Sequence, residues 1–381
     1  MEKLYARIEE LAPSYVQFWK KICEMETPSQ DKAALDVLVD FLEAYARDKG
    51  FCVYREAFPK AGDCLRIDLP GDESKQPIVL MSHMDTVHEK GAFGPEPVTL
   101  KDGILYGPGV NDCKNGITMT MLILQALQES GVEHPPVRVL YTSDEEISAS
   151  LSGPQGIAFF ETNAAGAKAV LNCESGAEGV AVVGRKSIGH VTLDITGKAA
   201  HAGVCYFDGV SAVREAAHKI IAIEALSEPN GRTFNCGIVR GGTKTNIVPD
   251  FCQVQVDIRS MEEQKMTEAI EWIREIADRS YVEGTSCQVR VGAIRPPMEP
   301  TPANYALLER INALAAELGM KPLKGLVSGG GSDAAYTTRM GIPTICSIGP
   351  CGGDVHTRQE WADTTTLPIR AKLVAKCICE L

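Results

Sequence analysis

The stretch Ile78–Val87, IVLMSHMDTV, decides the fold together with Leu105–Gly116, LYGPGVNDCKNG. An apolar run from Pro77 to Met81 ends abruptly in Ser82-His83-Met84-Asp85. A Gly107-Pro108-Gly109 turn then delivers Asp112 directly ahead of an apolar helical pattern. A short run that is apolar throughout is the pattern of a strand buried on both faces. His83, at its end, can ligate a metal through one ring nitrogen while Asp85 or its surroundings fix the other. Asp112 offers two carboxylate oxygens, enough to bridge two cations.

The same pattern recurs outward from this stretch. Val137–Thr142 runs straight into Ser143-Asp144-Glu145-Glu146, and Ala167–Leu171 runs into Asn172-Cys173-Glu174. Helical patterns lie between them, Asn115–Ser130 closed by Gly131 and a shorter one over Gly156–Thr162. Upstream stand two amphipathic helices, one at the N-terminus and one over residues 31–50. A strand pair, Cys52–Glu56 and Leu65–Leu69, follows them. Strand alternating with helix over this length predicts an α/β domain, a mostly parallel sheet flanked by helices. Sites in such sheets form beyond the carboxyl ends of the strands. His83, Glu145, Glu146 and Glu174 all stand just past an apolar run.

Near Gly184 the texture changes. Between Ser187 and Ala293 the strands alternate apolar and polar, as in Val254-Gln255-Val256-Asp257-Ile258, with long helices over Val210–Ala225 and Glu262–Tyr281. Alternation predicts a sheet with one solvated face, hence a small α+β domain. Arg295–Pro300 reads as a linker. Strand–helix texture then returns, with a helix over Tyr305–Leu318, the glycine-rich Ser328–Asp333, and a last apolar strand, Pro343–Ile348, leading to His356. The expected organisation is a discontinuous domain of residues 1–185 and 295–381, with residues 186–294 inserted as a second domain.

Composition narrows the function. A chain of 381 residues, 44% hydrophobic and 23% charged, is ordinary for a globular protein of two domains. A net charge of −12 disfavours nucleic acid and anionic membrane as partners, and no apolar run reaches the ~20 residues of a membrane helix. The N-terminus lacks the features of a signal peptide, so a cytoplasmic location is expected. The 13 cysteines contain no C-x-x-C pair and read as small buried hydrophobes in a reducing compartment.

Two histidines, His83 and His356, and four acids, Asp112, Glu145, Glu146 and Glu174, make the candidate site. Five of them suffice for two divalent cations that share Asp112. Mixed imidazole and carboxylate donors suit zinc, cobalt or manganese. Two such ions polarise a carbonyl and generate hydroxide near neutral pH, which is the chemistry of amide hydrolysis. Of the adjacent Glu145 and Glu146, one can hold metal while the other acts as general base. A single Asp-Glu-Glu is ordinarily a solvated turn; its placement beside other strand-end ligands is what gives it weight.

SHMDTV, YGPGVNDCKNG, TSDEE, LNCESG, GKAAHAG, TNIVPD, VDIRS and GGGSDAAY occur in that order, spanning nearly the whole chain. Together they resemble the M20 family of dinuclear zinc peptidases, closest to its glutamate carboxypeptidase branch. The resemblance implies two zinc ions, one held by His83, Asp112 and Glu174 and the other by Asp112, Glu146 and His356. It implies Glu145 as general base, Asp85 as the partner orienting His83, and a cis peptide after Asp112. In the inserted domain, it implies a homodimer in which His201 reaches the partner's site to stabilise the oxyanion. Asn246, Arg259 and the backbone of Gly330 and Gly331 would then contact substrate. Two departures stand out: Asn115 where the family has glycine, and His356 in an unfamiliar GGDVHTRQEW setting.

The expected activity is removal of a C-terminal amino acid, with glutamate as the candidate, from a small peptide or N-acyl conjugate. An N-acyl-amino-acid deacylase of the acetylornithine deacetylase or aminoacylase kind is the alternative, followed by a di- or tripeptidase. A non-catalytic metal-stabilised scaffold would be signalled by a missing ligand or base, and none is missing. No G-x-S-x-G elbow points to a serine hydrolase.

Overall fold

Apolar residues spaced three and four apart build the first two helices, α1 (Glu2–Cys23) and α2 (Lys32–Asp48). Leu4, Ile8, Leu11, Tyr15, Trp19 and Ile22 form the buried stripe of α1. Asp31 caps α2, accepting from the Ala34 N–H at 3.0 Å. The computed structural model describes residues 1–381, which divide into two units. The first comprises Met1–Gly184, Pro300–Val327 and Ser332–Leu381; the second comprises Arg185–Glu299 and Ser328–Gly331.

In the first unit the chain continues through β1 (Cys52–Glu56), β2 (Cys64–Leu69), β3 (Ile78–His83), β4 (Thr99–Lys101) and β5 (Ile104–Tyr106). Next come α3 (Lys114–Ser130), β6 (Val137–Thr142), α4 (Gly153–Asn163), β7 (Ala169–Asn172) and β8 (Val180–Arg185), whose last residue is already counted in the second unit. The second unit holds β9 (Ser187–Thr196), α5 (Ala212–Glu224), β10 (Thr233–Gly241), β11 (Phe251–Ser260), α6 (Glu263–Asp278) and β12 (Ser286–Arg295). The first unit resumes with α7 (Pro302–Glu317), β13 (Lys324–Ser328, its last residue counted in the second unit), α8 (Ala334–Arg339), β14 (Thr344–Ile345), β15 (Gly352–Gly353), β16 (Trp361–Asp363) and α9 (Thr366–Glu380).

The main sheet has the order β1-β2-β6-β3-β7-β14, with β6, β3, β7 and β14 parallel and β1 and β2 antiparallel. Every residue of β3 is buried because both faces are covered. Ile78 and Leu80 join the large core with α1, α3 and α9, while Val79 and Met81 face a second cluster with Phe159, Phe160 and Tyr336. That division is the two-residue period of a strand sandwiched between helix layers. The fold class is the α/β type that the alternation of strand and helix predicts. His83 ends β3, and the segments carrying Glu145 and Glu174 leave the parallel ends of β6 and β7.

Gly116 lets α3 approach those ends closely. A Cβ there would lie 2.1 Å from the Cys173 carbonyl oxygen and 2.7 Å from Ser82 Oγ. A smaller sheet, β15-β16-β5-β4, lies in the same unit and borders the segments bearing Asp112 and His356. Two expectations change. Pro343–Ile348 is a strand only over Thr344–Ile345, because Cys346 leaves β7 and pairs with Val182 instead. Arg295, assigned to a linker, is the last residue of β12.

The second unit is a four-stranded antiparallel sheet, β10-β11-β9-β12. β11 alternates buried and half-exposed residues, and α5 and α6 pack on its apolar face through Ala216, Ile223, Ile270 and Ile273. Lys219 is buried between these helices. Its Nζ donates to the carbonyls of Ile276 and Ala277 at 2.9 Å and of Arg279 at 2.6 Å, and pairs with Glu215 at 2.9 Å. Glu215 in turn accepts from the Tyr281 and Val282 N–H groups. The pair thereby closes the C-terminal end of α6.

Candidate metal centre

His83, 2% exposed, lies with both ring nitrogens against acids. Its Nδ1 is 3.2 Å from Asp85 Oδ1 and 3.1 Å from the Asp85 carbonyl, and its Nε2 is 3.1 Å from Asp112 Oδ1. Asp85 is fully buried and does more than face His83. It accepts from Ser29 Oγ at 2.6 Å and from the backbone N–H groups of Glu145 and Glu146, each at 3.1 Å. One carboxylate thus fixes the His83 ring and the loop that carries two further acids.

The other oxygen of Asp112, Oδ2, lies 3.3 Å from His356 Nε2, and that nitrogen is 3.1 Å from Glu146 Oε2. Ligand atoms of Asp112, Glu146 and His356 all lie within 4.8 Å of one another; so do those of His83, Asp112 and Cys113. The Asp112–Cys113 peptide is cis, as the family resemblance implies. Glu145 Oε2 stands 3.9 Å from His83 Nε2. Glu174 falls outside both groups. Its carboxylate accepts from Ser332 Oγ at 2.6 Å and Asn172 Nδ2 at 3.3 Å, with Cys346 Sγ at 3.5 Å. Cys113, buried beside Asp112, is the third member of the group that contains His83.

Asn115, the departure from glycine, is accommodated. Its side-chain amide donates to Asn111 Oδ1 at 3.2 Å and to the Pro350 carbonyl at 3.1 Å.

The electrostatics follow from crowding acids around two imidazoles. Burial raises the pKa of Asp112, but His356 and His83 outweigh it and hold the carboxyl well below its usual range. Burial and the Asp112 charge push Glu146 up to about 7. Hydrogen bonds to Asp112 and Glu146 carry His356 to about 10. Burial disfavours charge on His83, yet Cys113, Asp112 and Asp85 raise it overall. Acids gathered this closely favour positive charge between them, which divalent cations can supply. The donor spacing fits such ions: with bonds of ~2.0–2.1 Å, tetrahedral ligand atoms sit roughly 3.3 Å apart. The nitrogen–oxygen separations here are 3.1 to 3.3 Å.

The remaining candidates belong to the second unit. His201 is exposed, its Nδ1 accepting from the Gly203 N–H at 3.1 Å, and it bridges to Ile247 next to the exposed Asn246. Arg259 is engaged in a two-pronged pair with Asp257 at 2.8 and 3.0 Å. The Gly330 N–H donates to Ser328 Oγ, and the Gly331 carbonyl accepts from Arg185. Sequence reasoning missed Ser29, Ser332 and Glu360, which touch site residues or their loops. Ser332 lies within GGGSDAAY and Glu360 within GGDVHTRQEW, but neither stretch singles out that residue, and no motif marks Ser29.

The family model described as Peptidase family M20/M25/M40 matches residues 79–380. Carboxypeptidase G2 from Pseudomonas sp. (strain RS-16) is 29% identical over 376 residues, covering 97% of this chain and 89% of its own. Acetylornithine deacetylase from Erwinia tasmaniensis is 23% identical over 280 residues, covering 65% and 68%. The crystal structure of aminopeptidase PepT from Bacillus cereus superposes with a TM-score of 0.78 at 26% identity, covering 96% of this chain and 98% of its own.

Proposed function

We propose a two-metal carboxypeptidase, reasoning from the fact that this chain belongs to peptidase family M20/M25/M40. It would cleave the amide bond to a C-terminal amino acid, with glutamate the first candidate, in a small peptide or N-acyl conjugate. The similarity to carboxypeptidase G2 over almost the full chain supports this choice. The observation that carries the metal assignment is that Asp112 turns one oxygen to each of two imidazoles, at 3.1 and 3.3 Å.

In this reading His83, Asp112 and Glu174 hold one cation, and Asp112, Glu146 and His356 hold the other. Two bound divalent cations, zinc first and cobalt or manganese also compatible, supply carbonyl polarisation and a water acidified toward neutral pH. Glu145 takes the proton of the attacking water and returns it to the leaving amine. Asp85 fixes the direction of Glu145 and Glu146 by holding their successive N–H groups, so neighbouring carboxylates can serve different ends. His201 would stabilise the oxyanion in the partner subunit of a homodimer formed through the second unit, a domain that residues 186–294 would make up. Asn246, Arg259, Gly330 and Gly331 would bind the substrate carboxylate, Arg259 after exchanging Asp257 for it. A cytoplasmic location agrees with this chemistry; no helix is long and apolar enough to cross a membrane.

The test is a hydrolysis screen of N-acyl-glutamates, other N-acyl amino acids and unblocked di- and tripeptides, run before and after chelation. Preferential release of C-terminal glutamate, lost on chelation and restored by zinc, supports the reading. Preference for acetylated ornithine-like substrates would move it to the deacylase alternative, which the similarity to acetylornithine deacetylase favours. Cleavage of unblocked peptides alone would move it to a di- or tripeptidase. Chelator-resistant hydrolysis would remove the metal mechanism.

A further inference from the structure

Four backbone N–H groups of the loop that delivers Asp112 end on one residue, Glu360. Gly107 donates to its carbonyl at 3.2 Å and Gly109 to Oε2 at 3.2 Å. Asn111 and Asp112 donate to Oε1 at 2.8 and 2.9 Å. His88 Nε2 adds a contact to Oε2 at 3.0 Å, and Glu360 is 1% exposed. A Gly-Pro-Gly loop has little of its own to set its shape: two residues are conformationally permissive and one lacks a donor. A buried carboxylate gathering three N–H groups supplies what the loop lacks, and such charge-assisted bonds are about twice as strong as neutral ones.

Glu360 also lies four residues beyond His356. Between them the chain turns tightly, with Thr357 N–H bonded to Asp354 and Glu360 N–H to Thr357, and with His356 itself at φ 63°. A non-glycine residue there needs outside support to persist. Directly after Glu360, Trp361 and Ala362 of β16 pair with Tyr106 and Leu105 of β5. The segments that present His356 and Asp112 are therefore tied together, by a two-stranded ladder and then by the Glu360 carboxylate.

We propose that Glu360 is a positioning residue for the cation site of Asp112, Glu146 and His356. It sets the separation of Asp112 from His356 while touching neither cation nor substrate. The inference rests on the two-metal reading above and deepens it. A merely structural Glu360 would affect unfolding temperature alone; a positioning Glu360 affects one of two binding events.

Cobalt titration of the metal-free protein, followed by calorimetry and visible absorption, separates these cases, using wild type, Glu360→Gln and Glu360→Ala. The expected result is two equivalents bound by wild type and a second equivalent weakened at least tenfold in Glu360→Ala. Saturating turnover falls at least tenfold while KM stays within about twofold. Glu360→Gln, which keeps one oxygen for the Asn111 and Asp112 N–H groups, weakens the second equivalent three- to tenfold. Both equivalents binding as in wild type, with only a lower unfolding temperature, would overturn the proposal. If the alanine variant does not fold, an unchanged second equivalent in Glu360→Gln overturns it equally. Wild type binding fewer than two equivalents would instead defeat the two-metal reading, and the assignment of Glu360 with it.

Discussion

His356 Nε2 lies 3.3 Å from Asp112 Oδ2, the oxygen that His83 leaves open. Because His83 takes Oδ1, a single carboxylate stands between two imidazoles that come from strands and loops far apart in sequence.

Glu145→Gln keeps the side-chain size and the N–H bond to Asp85 but removes the proton acceptor. Metal content should stay at the wild-type level, and turnover should fall by ~10²–10⁴, the usual worth of general acid–base catalysis. Steady-state kinetics beside metal analysis checks this. Wild-type turnover would take the base role away from Glu145.

Asp85→Asn leaves a group that can still face His83 but loses charge and one of two acceptors for the Glu145 and Glu146 N–H groups. Outer partners of metal-binding imidazoles are worth 10–100-fold in affinity or activity. Zinc affinity, measured by competition with a chromophoric chelator, should drop within that range. No change would mean His83 is oriented by the Asp85 backbone carbonyl alone.

Asp63 carries a pH dependence remote from the metal site. Burial raises its pKa, but Lys32 at 2.8 Å, Arg55 at 2.7 Å and the Phe58 N–H outweigh it, so the folded value is lowered. A depressed carboxyl stabilises the fold above its unfolded pKa of ~3.9, and the contribution fades as pH falls through the lower folded value. Metal-free wild type should therefore lose more stability between pH 5 and 3 than Asp63→Asn does, with pH values chosen as about one unit either side of that pKa. Denaturant unfolding at the two pH values measures the difference; equal losses would contradict it.

Lys219→Met removes the cation from a fully buried pair and leaves three carbonyls at the end of α6 without their donor. Breaking one partner of a buried ion pair costs about 3–5 kcal/mol. Calorimetry should show a much lower unfolding temperature for Lys219→Met. The double variant with Glu215→Leu should cost less than the sum of the two single changes, since each single change strands a buried charge. Additive costs would mean that the two side chains do not interact as the 2.9 Å contact implies.

Much of this architecture is legible in the sequence because it rests on periodicity. Largely apolar runs mark β3, β6 and β7, alternation marks β9 and β11, and the ends of the parallel strands or the residues just after them deliver His83, Glu145, Glu146 and Glu174. What escapes is what depends on two or three residues at a time. β4, β5, β15 and β16 are too short to show a period, yet they bind the Asp112 segment to the His356 segment. Glu360 is hidden for a related reason: its partners at Gly109, Asn111 and Asp112 are 248 to 251 residues away in sequence. Glu174 is legible as a strand-end acid, but its hydrogen bonds to Ser332 and Asn172 are tertiary and no local pattern announces them.

Anomalous diffraction from zinc-loaded crystals tests the shared role of Asp112 most directly. Two peaks roughly 3.5–4 Å apart, the spacing of paired catalytic ions, should flank Asp112, one on the His83 side and one on the His356 side. A single peak, or two that Asp112 does not join, would contradict a bridged pair of cations in this enzyme.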